Sequence, residues 1–113
     1  MCYTINTGDS RACLSVDGGK KVWNLSEDHK PEEINENNRI LENDGYIYQN
    51  TQVIRNSEND PPHVALGPHR VFPGRLSVSR TIGDIEAKRL IYEGNPRVVI
   101  AEPDVVVFDL KKI

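Results

Sequence analysis

Short apolar or alternating stretches, separated by turn residues, run along the whole chain. The opening residues 2–6 are rich in β-branched and aromatic side chains, which favours a strand. Residues 12–16 and 22–25 form two further β-type runs, and Asp17-Gly18 stands between them. An Asp-Gly pair between two such runs is the strongest short hairpin signal. We therefore predict a β-hairpin over residues 11–25.

A helical pattern follows the polar corner at residues 26–30. Pro31 and the two acids after it suit the first turn of a helix. Gly45 is placed to end the helix. The apolar stripe of this pattern consists of Ile34, Ile40 and Leu41. The sequence therefore predicts a helix over residues 31–44, lying on the rest of the fold by that stripe.

Regular periodicity is weaker in the middle of the chain. Residues 46–48, Tyr-Ile-Tyr, predict a short strand. Residues 49–70 have no periodicity and many turn residues, which predicts a long loop without regular structure. Residues 71–80 include an alternation of Leu76 and Val78 with serines, which predicts a strand.

The last third of the chain combines one helix with two strands. Asp84 is placed to cap a helix over residues 85–93, and Gly94 to end it. The apolar positions of that helix are Ile85, Ala87, Leu90 and Ile91. Residues 97–101 and 105–110 are rich in valine, which predicts buried strands. Because most strands are linked by hairpins rather than alternating with helices, we predict an α+β fold class.

Composition and charge exclude several classes of protein. The chain has 113 residues, of which 37% are hydrophobic, and its apolar runs are far shorter than the roughly 20 residues of a membrane span. Fourteen Lys and Arg against 17 Asp and Glu give a net charge of −3, which argues against nucleic-acid binding. Cys2 and Cys13 are too few for a disulfide scaffold. With no signal-peptide pattern, we expect a cytoplasmic or nuclear protein.

Two polar segments are candidates for chemistry, and each has a plain structural alternative. Asp9 and Arg11 in Gly-Asp-Ser-Arg suit metal or phosphate handling, or else an ordinary tight turn. Asp28 is a candidate acceptor at the helix start, and Lys30 suits a phosphate as a point charge. The alternative for this second segment is capping together with solvent exposure.

Two further sets of polar residues carry weaker signals. His63 and His69 are six residues apart, which is no recognised metal-ligand spacing, so we expect solvated loop histidines. Arg70, Arg75 and Arg80 recur every five residues, which fits neither one helix face nor one strand face. Scattered surface arginines are the expected outcome, and a subset facing phosphate is the alternative.

Five short motifs follow one another over residues 6–105. They are Asn-Thr-Gly-Asp-Ser-Arg-Ala (6–12), Leu-Ser-Glu-Asp-His-Lys-Pro (25–31), Glu-Asn-Asn-Arg-Ile followed by Asp-Gly (36–45), Leu-Ser-Val-Ser-Arg-Thr-Ile-Gly-Asp (76–84) and Ala-Glu-Pro-Asp-Val (101–105). In this order they resemble the motifs of the type 2C, or PPM, family of metal-dependent serine/threonine protein phosphatases. Each motif is weak alone, but the ordered set is specific.

The resemblance implies a fold and a chemistry. The family fold is a four-layer α-β-β-α sandwich with mostly antiparallel sheets. Its members hydrolyse phosphoserine and phosphothreonine with water activated by Mg²⁺ or Mn²⁺. The core metal ligands lie in an early acidic strand, an Asp-Gly-His-Gly-Gly motif, an Asp-Gly-x-[Trp/Phe]-Asp motif and a late Asp-Asn pair, none of which this sequence contains. Residues 1–113 thus resemble the central part of a longer catalytic domain, and we expect the chain alone to be inactive and to bind neither ion tightly.

The resemblance also assigns expectations to single residues. Asp9 matches an aspartate near the active site that is linked to a third, weaker metal position. Lys30 and Arg80 match residues of the surrounding shell, and Asp84 is expected to be a structural cap. Residues 49–75 correspond to a flap loop beside the substrate cleft.

Partners follow from the same comparison. We expect phosphoprotein substrates for the whole domain, and neither nucleic acid nor membrane. The isolated segment is expected to self-associate, because its sheet edges would lack neighbours. The alternative function is a non-catalytic, phosphatase-like binding or scaffold module.

Overall fold

Antiparallel strand pairs and short helices make up the fold in the computed structural model, which describes residues 1–112. In chain order the elements are β1 (Cys2–Asn6), β2 (Cys13–Val16), β3 (Lys21–Asn24), α1 (Ile34–Glu42), β4 (Tyr46–Ile54), β5 (His63–Phe72), α2 (Ile85–Lys88) and β6 (Asp104–Phe108). Short 3-10 helices lie at Asp17–Gly19, Leu90–Tyr92 and Leu110–Lys112. The predicted α+β fold class is confirmed.

Each of the strands β1 to β6 pairs with one antiparallel partner. β1 pairs with β6, β2 with β3, and β4 with β5. The β2–β3 pair, with Cys13 opposite Asn24, confirms the hairpin predicted over residues 11–25. In the β1–β6 pair, Asn6 lies opposite Asp104. That register brings the end of β1, where the first motif begins, next to the fifth motif.

The long loop predicted over residues 49–70 is wrong, because most of this segment is a β-hairpin. β4 and β5 pair from Tyr46 and Phe72 at the base to Ile54 and His63 near the tip. Most side chains of β4 are exposed, and so are several of β5. A ribbon with solvent on both faces imposes no alternation of apolar and polar residues. The hairpin therefore left no periodic signal in the sequence.

Helix α1 begins three residues later than predicted, because Glu33 caps it. The Oε2 atom of Glu33 accepts hydrogen bonds from the backbone N–H groups of Asn35 at 3.1 Å and Glu36 at 3.2 Å. Asp28 is therefore not the acceptor at the helix start. Of the predicted apolar stripe, Ile40 is fully buried, whereas Ile34 and Leu41 are exposed.

The strands predicted over residues 71–80 and 97–101 are mostly absent. β5 ends at Phe72, and a single parallel bridge between Arg80 and Ile100 is the strand pairing that the structure gives to residues 76–80 and 97–101. Val98 and Val99 are fully buried, but they lie in a turn. Valine in these segments therefore reports burial rather than a strand.

Helix α2 is shorter than the predicted helix over residues 85–93. Arg89 takes extended backbone angles and ends it, and the Leu90–Tyr92 3-10 helix follows. Of the predicted apolar face only Ala87 is buried. Asp84 precedes α2, but its backbone is left-handed with φ 49° and its side chain makes no capping hydrogen bond. The predicted Asp84 cap is therefore wrong.

The hydrophobic core is small. It consists of Ile40, Val71, Ala87, Val98 and Val99, with Ile47 and Leu76 packed against it. The Cα radius of gyration is 18.3 Å, whereas a compact domain of this length has roughly 13 Å. The accessible surface of 8192 Å² likewise exceeds the roughly 6,300 Å² expected for a compact monomer of this mass. The described residues thus expose apolar surface that a compact domain would bury.

Across residues 1–112, no helix combines the length and the apolar character that crossing a bilayer requires.

Candidate functional site

A buried carboxylate, that of Glu36 on α1, lies at the centre of a polar network. The residue is 2% exposed. Its Oε1 atom accepts hydrogen bonds from the Ser79 hydroxyl at 2.7 Å and from Arg80 Nε at 2.8 Å. Its Oε2 atom accepts from Arg80 Nη2 at 3.0 Å and from Arg39 Nη1 at 3.4 Å. Four donors, two of them on one guanidinium, compensate the cost of burying this charge.

The two arginines connect Glu36 to the turns around it. Arg39 Nη2 donates to the carbonyl oxygens of Ser79 at 3.2 Å and Val98 at 2.7 Å. Arg80 Nη1 donates to the carbonyl oxygen of Glu102 at 3.0 Å and to Asp104 Oδ1 at 3.0 Å. The Arg80 side chain is only 14% exposed. The expectation that Arg80 is a scattered surface arginine is therefore wrong.

His29 extends the network from Asp104 to Gly8. The residue is 3% exposed, and its Nε2 atom lies 2.8 Å from Asp104 Oδ2. Its Nδ1 atom accepts a hydrogen bond from the backbone N–H of Gly8 at 3.0 Å. Because a backbone N–H can only donate, Nδ1 is unprotonated and the ring proton sits on Nε2, where it is donated to Asp104.

The network lowers the pKa of both of its carboxyl groups. Burial raises the pKa of Glu36, but the hydrogen bonds from Arg80 and Ser79 and the charges of both arginines outweigh burial, so the net shift is downward. The hydrogen bond from His29 lowers the pKa of Asp104 most, and Arg80 lowers it further against a raising effect of burial. Two carboxylates thus balance the two guanidinium groups of Arg39 and Arg80.

Asp9 and Lys30 meet in a cleft of about 340 Å³ beside this network. The β4–β5 hairpin forms one wall of the cleft with Gln49, Gly67, Pro68 and His69, and Glu32 and Ser77 complete the lining. The structure therefore brings together two of the three residues predicted for the site shell. Arg80, the third, is not among the lining residues, and its side chain is connected to Gly8, next to Asp9, through Asp104 and His29.

Arg11 is held by Asp28. Arg11 Nε and Nη2 donate to the two oxygens of Asp28 at 3.1 and 2.9 Å. This hydrogen-bonded pairing lowers the pKa of Asp28. Lys30 Nζ lies 3.9 Å from the same carboxylate and its side chain is 46% exposed. Of these two cations, Lys30 is the one that lines the cleft with Asp9.

The remaining candidates from the sequence, two histidines and two arginines, lie on the β4–β5 hairpin or directly after it. His63 is exposed near the hairpin tip, and His69 Nδ1 lies 3.9 Å from Glu32 Oε2. Arg70 Nη1 donates to the backbone carbonyl of Arg75 at 3.0 Å, and this hydrogen bond is exposed. His63, His69 and Arg70 are strand residues, because most of the expected loop around them is a hairpin.

The donor set does not by itself fit a divalent metal ion. Nowhere in residues 1–112 do three or more His, Cys, Asp or Glu side chains come together to hold a metal. Mg²⁺ requires about six oxygen ligands, whereas the lining of the cleft contributes two carboxylates, from Asp9 and Glu32, beside the Lys30 ammonium group.

Sequence reasoning missed Glu36, Ser79, Asp104 and His29 as functional-site residues. A usable signal exists for Glu36, which precedes the buried Ile40 by four residues and so falls on the same face of α1. An acid on the buried face of a helix requires a cationic partner. The sequence contains the partners, Arg39 and Arg80, but it does not show that their side chains lie close to Glu36.

Comparisons with known proteins place the chain in a class and then in a family. The class is that of protein phosphatases, since a sequence model described as Protein phosphatase 2C matches residues 2–112. The chain belongs to this protein phosphatase 2C family.

Three relatives illustrate the similarity. Protein phosphatase 1L of Bos taurus is 36% identical over 108 residues, which cover 96% of this chain and 23% of the relative. Probable protein phosphatase 2C 6 of Paramecium tetraurelia is 33% identical over 109 residues, covering 96% and 30%. Probable protein phosphatase 2C 58 of Oryza sativa subsp. japonica is 35% identical over 106 residues, covering 93% and 23%. The chain thus spans about a quarter to a third of the length of these relatives.

Proposed function

We propose that the chain is the central segment of a metal-dependent protein phosphatase that hydrolyses phosphoserine and phosphothreonine by metal-activated water. One structural observation supports the proposal in addition to family membership. Each of the five motifs contributes at least one group to a single connected hydrogen-bond network. The groups are the Gly8 N–H, the His29 ring, the Glu36 carboxylate, the Ser79 and Arg80 side chains, and the Asp104 carboxylate.

The proposal divides the work between this chain and the rest of the catalytic domain. Residues 1–112 supply the scaffold, the Asp9 carboxylate and the Lys30 ammonium group, which favours an anionic phosphate in the cleft. The β4–β5 hairpin, which overlaps most of the expected flap region 49–75, forms a wall that discriminates between phosphoproteins by shape. The core ligands of Mg²⁺ or Mn²⁺ come from outside this chain, with Asp9 as a third-site carboxylate. The chain alone is then inactive, and its sheets form part of a four-layer sandwich.

A segment exchange tests this proposal. Residues 2–112 replace the matching segment of the bovine Protein phosphatase 1L, and phosphate release from a phosphothreonine peptide is measured with and without Mn²⁺. We expect Mn²⁺-dependent release that falls strongly in Asp9→Asn. Asp17→Asn, an equivalent change in the exposed turn between β2 and β3, is the matched control and should leave release unchanged. A chimera that melts cooperatively yet releases no phosphate would contradict the proposal and support the scaffold alternative.

We also infer that the isolated chain self-associates. Tyr3 and Ile5 on β1 lie opposite Val107 and Val105 on β6, and all four side chains are largely exposed on one face of the ribbon. Among residues 1–112, each strand of this two-stranded sheet also has an edge without a strand neighbour. Light scattering after size exclusion should show a concentration-dependent mass. A strict monomer with a cooperative calorimetric melt would contradict the inference.

A further inference from the structure

We propose that His29 is a positioning residue that fixes the turn at Gly8 and thereby holds the Asp9 carboxylate in the cleft. This inference rests on the proposed function, because the placement of Asp9 affects a rate only if the cleft takes the phosphorylated substrate. His29 itself is buried and is not among the residues that line that cleft. Its role is therefore exerted through the backbone of Gly8.

Both backbone polar groups of Gly8 are bonded to His29. The Gly8 N–H donates to His29 Nδ1 at 3.0 Å, and the Gly8 carbonyl accepts from the His29 backbone N–H at 2.9 Å. The Asn6 side chain adds a longer bond to the same carbonyl at 3.3 Å. Gly8 has a φ of 115°, a region that glycine enters freely and other residues avoid. Glycine can adopt many backbone conformations. The bonds to His29 select one of them at Gly8, and this conformation sets the position of Asp9, the next residue.

His29 is in turn held from its other side. Its ring donates from Nε2 to Asp104 at 2.8 Å, and its carbonyl accepts from the Ser79 N–H at 3.0 Å. Asp104 is bonded to Arg80, which pairs with the buried Glu36. The sequence of contacts from α1 to Gly8 thus has no exposed, freely rotating link except the half-exposed Asp104. A rigid support of this kind is what keeps a functional carboxylate in one place.

Two substitutions separate positioning from simple burial, because each retains one of the two hydrogen bonds that the His29 ring makes. In His29→Asn the side-chain oxygen takes the place of Nδ1, so the acceptor for Gly8 remains and the donor to Asp104 is lost. In His29→Gln the side-chain amide takes the place of Nε2, so the donor to Asp104 remains and the acceptor for Gly8 is lost. Both variants remove the aromatic ring, which makes them matched controls for packing.

Hydrogen exchange of the Gly8 amide in the 113-residue chain is the first readout. We expect His29→Gln to speed exchange about fivefold to tenfold, the factor that loss of one hydrogen bond gives, and His29→Asn to change it about twofold or less. Urea midpoints of both variants report on global stability. Unchanged Gly8 exchange in a folded His29→Gln variant overturns the proposal.

The second readout is the rate of the bovine chimera described above. We expect His29→Gln to lower kcat about tenfold with little change in KM, because a displaced group costs the transition state rather than substrate binding. His29→Asn should retain a clearly larger share of kcat. Equal kcat losses in the two variants would overturn the proposal. If the chimera with His29 intact is inactive, the proposed function fails, and Gly8 exchange still decides the positioning role.

A third readout requires no substitution and covers the case in which both variants unfold. The ¹⁵N chemical shifts of the His29 ring distinguish a protonated nitrogen from an unprotonated one. We expect unprotonated Nδ1 and protonated Nε2, as the two contacts dictate. A proton on Nδ1 is incompatible with the Gly8 bond and overturns the proposal.

Discussion

Replacing Glu36 with glutamine removes the negative charge at the centre of the network while nearly preserving the shape of the side chain. The carboxylate serves four donors, from Ser79, Arg39 and twice from Arg80. Glutamine keeps one acceptor oxygen and presents an NH₂ group where the second oxygen was. At least one guanidinium N–H then faces the NH₂ group of the glutamine, which is another donor. Water cannot compensate, because residue 36 is only 2% exposed.

The expected loss of stability is large for a chain with so small a core. Removing one member of a buried ion pair costs about 3–5 kcal/mol, because the partner charge stays buried without compensation. Typical domains have only about 5–15 kcal/mol in total. With a urea slope of about 1–3 kcal/mol per molar, a loss of about 4 kcal/mol lowers the unfolding midpoint by roughly 1.3–4 M.

Urea unfolding followed by circular dichroism measures this loss. Glu42→Gln is the matched control, since Glu42 is an exposed residue of the same helix. We expect the control to keep the midpoint of the unmodified chain, and Glu36→Gln to shift it as calculated or to abolish the cooperative transition. Equal midpoints for both variants would show that the buried charge network does not organise the fold.

Three further predictions concern acid, the core and a close backbone contact. Because the pKa values of Glu36 and Asp104 are lowered in the folded state, their contribution to stability is complete above about pH 5 and is lost as the pH falls below about 4; a chain more stable at pH 3 than at pH 6 by circular dichroism would contradict this. Ile40→Ala, at a fully buried position, should cost about 2–5 kcal/mol in urea unfolding, whereas Ile34→Ala, at a position 70% exposed, should cost about 0.5 kcal/mol or less. Gly94→Ala would place a Cβ 2.4 Å from the carbonyl carbon of Ala87 and should lower the thermal midpoint far more than Gly67→Ala, whose Cβ would meet Asn50 O at 3.3 Å; similar midpoints would show that the Gly94 turn yields.

Local signals in the sequence predicted those elements that are fixed by local chemistry. The hairpin at residues 11–25 followed from Asp17-Gly18 between two β-type runs, and the structure confirms it. Helix α1 was placed correctly apart from its first turn, where Glu33 took the cap. The pattern was therefore enough to locate both elements, although only Ile40 of the predicted α1 stripe is buried.

Elements set by distant contacts were not predictable in the same way. The β4–β5 hairpin is mostly exposed beyond its base, where Val71 joins the core, and it left no alternation in the sequence. Val98 and Val99 are buried in a turn because Arg39 and Asn95 bond the backbone there, which valine content alone cannot indicate. Glu36 and Arg80 are 44 residues apart in the sequence. The motifs therefore contain the residues of the network but do not indicate which of their side chains are in contact.

The rate of Mn²⁺-dependent phosphate release from a phosphothreonine peptide decides whether the metal ligands come from outside this chain. It is measured on the purified 113-residue chain beside the chimera, each with and without Asp9→Asn. We predict no release by the chain alone, and release by the chimera that falls when Asp9 is replaced. Metal-dependent release by the chain alone, lost in Asp9→Asn, would contradict it, because these residues would then hold a complete metal site without ligands from elsewhere.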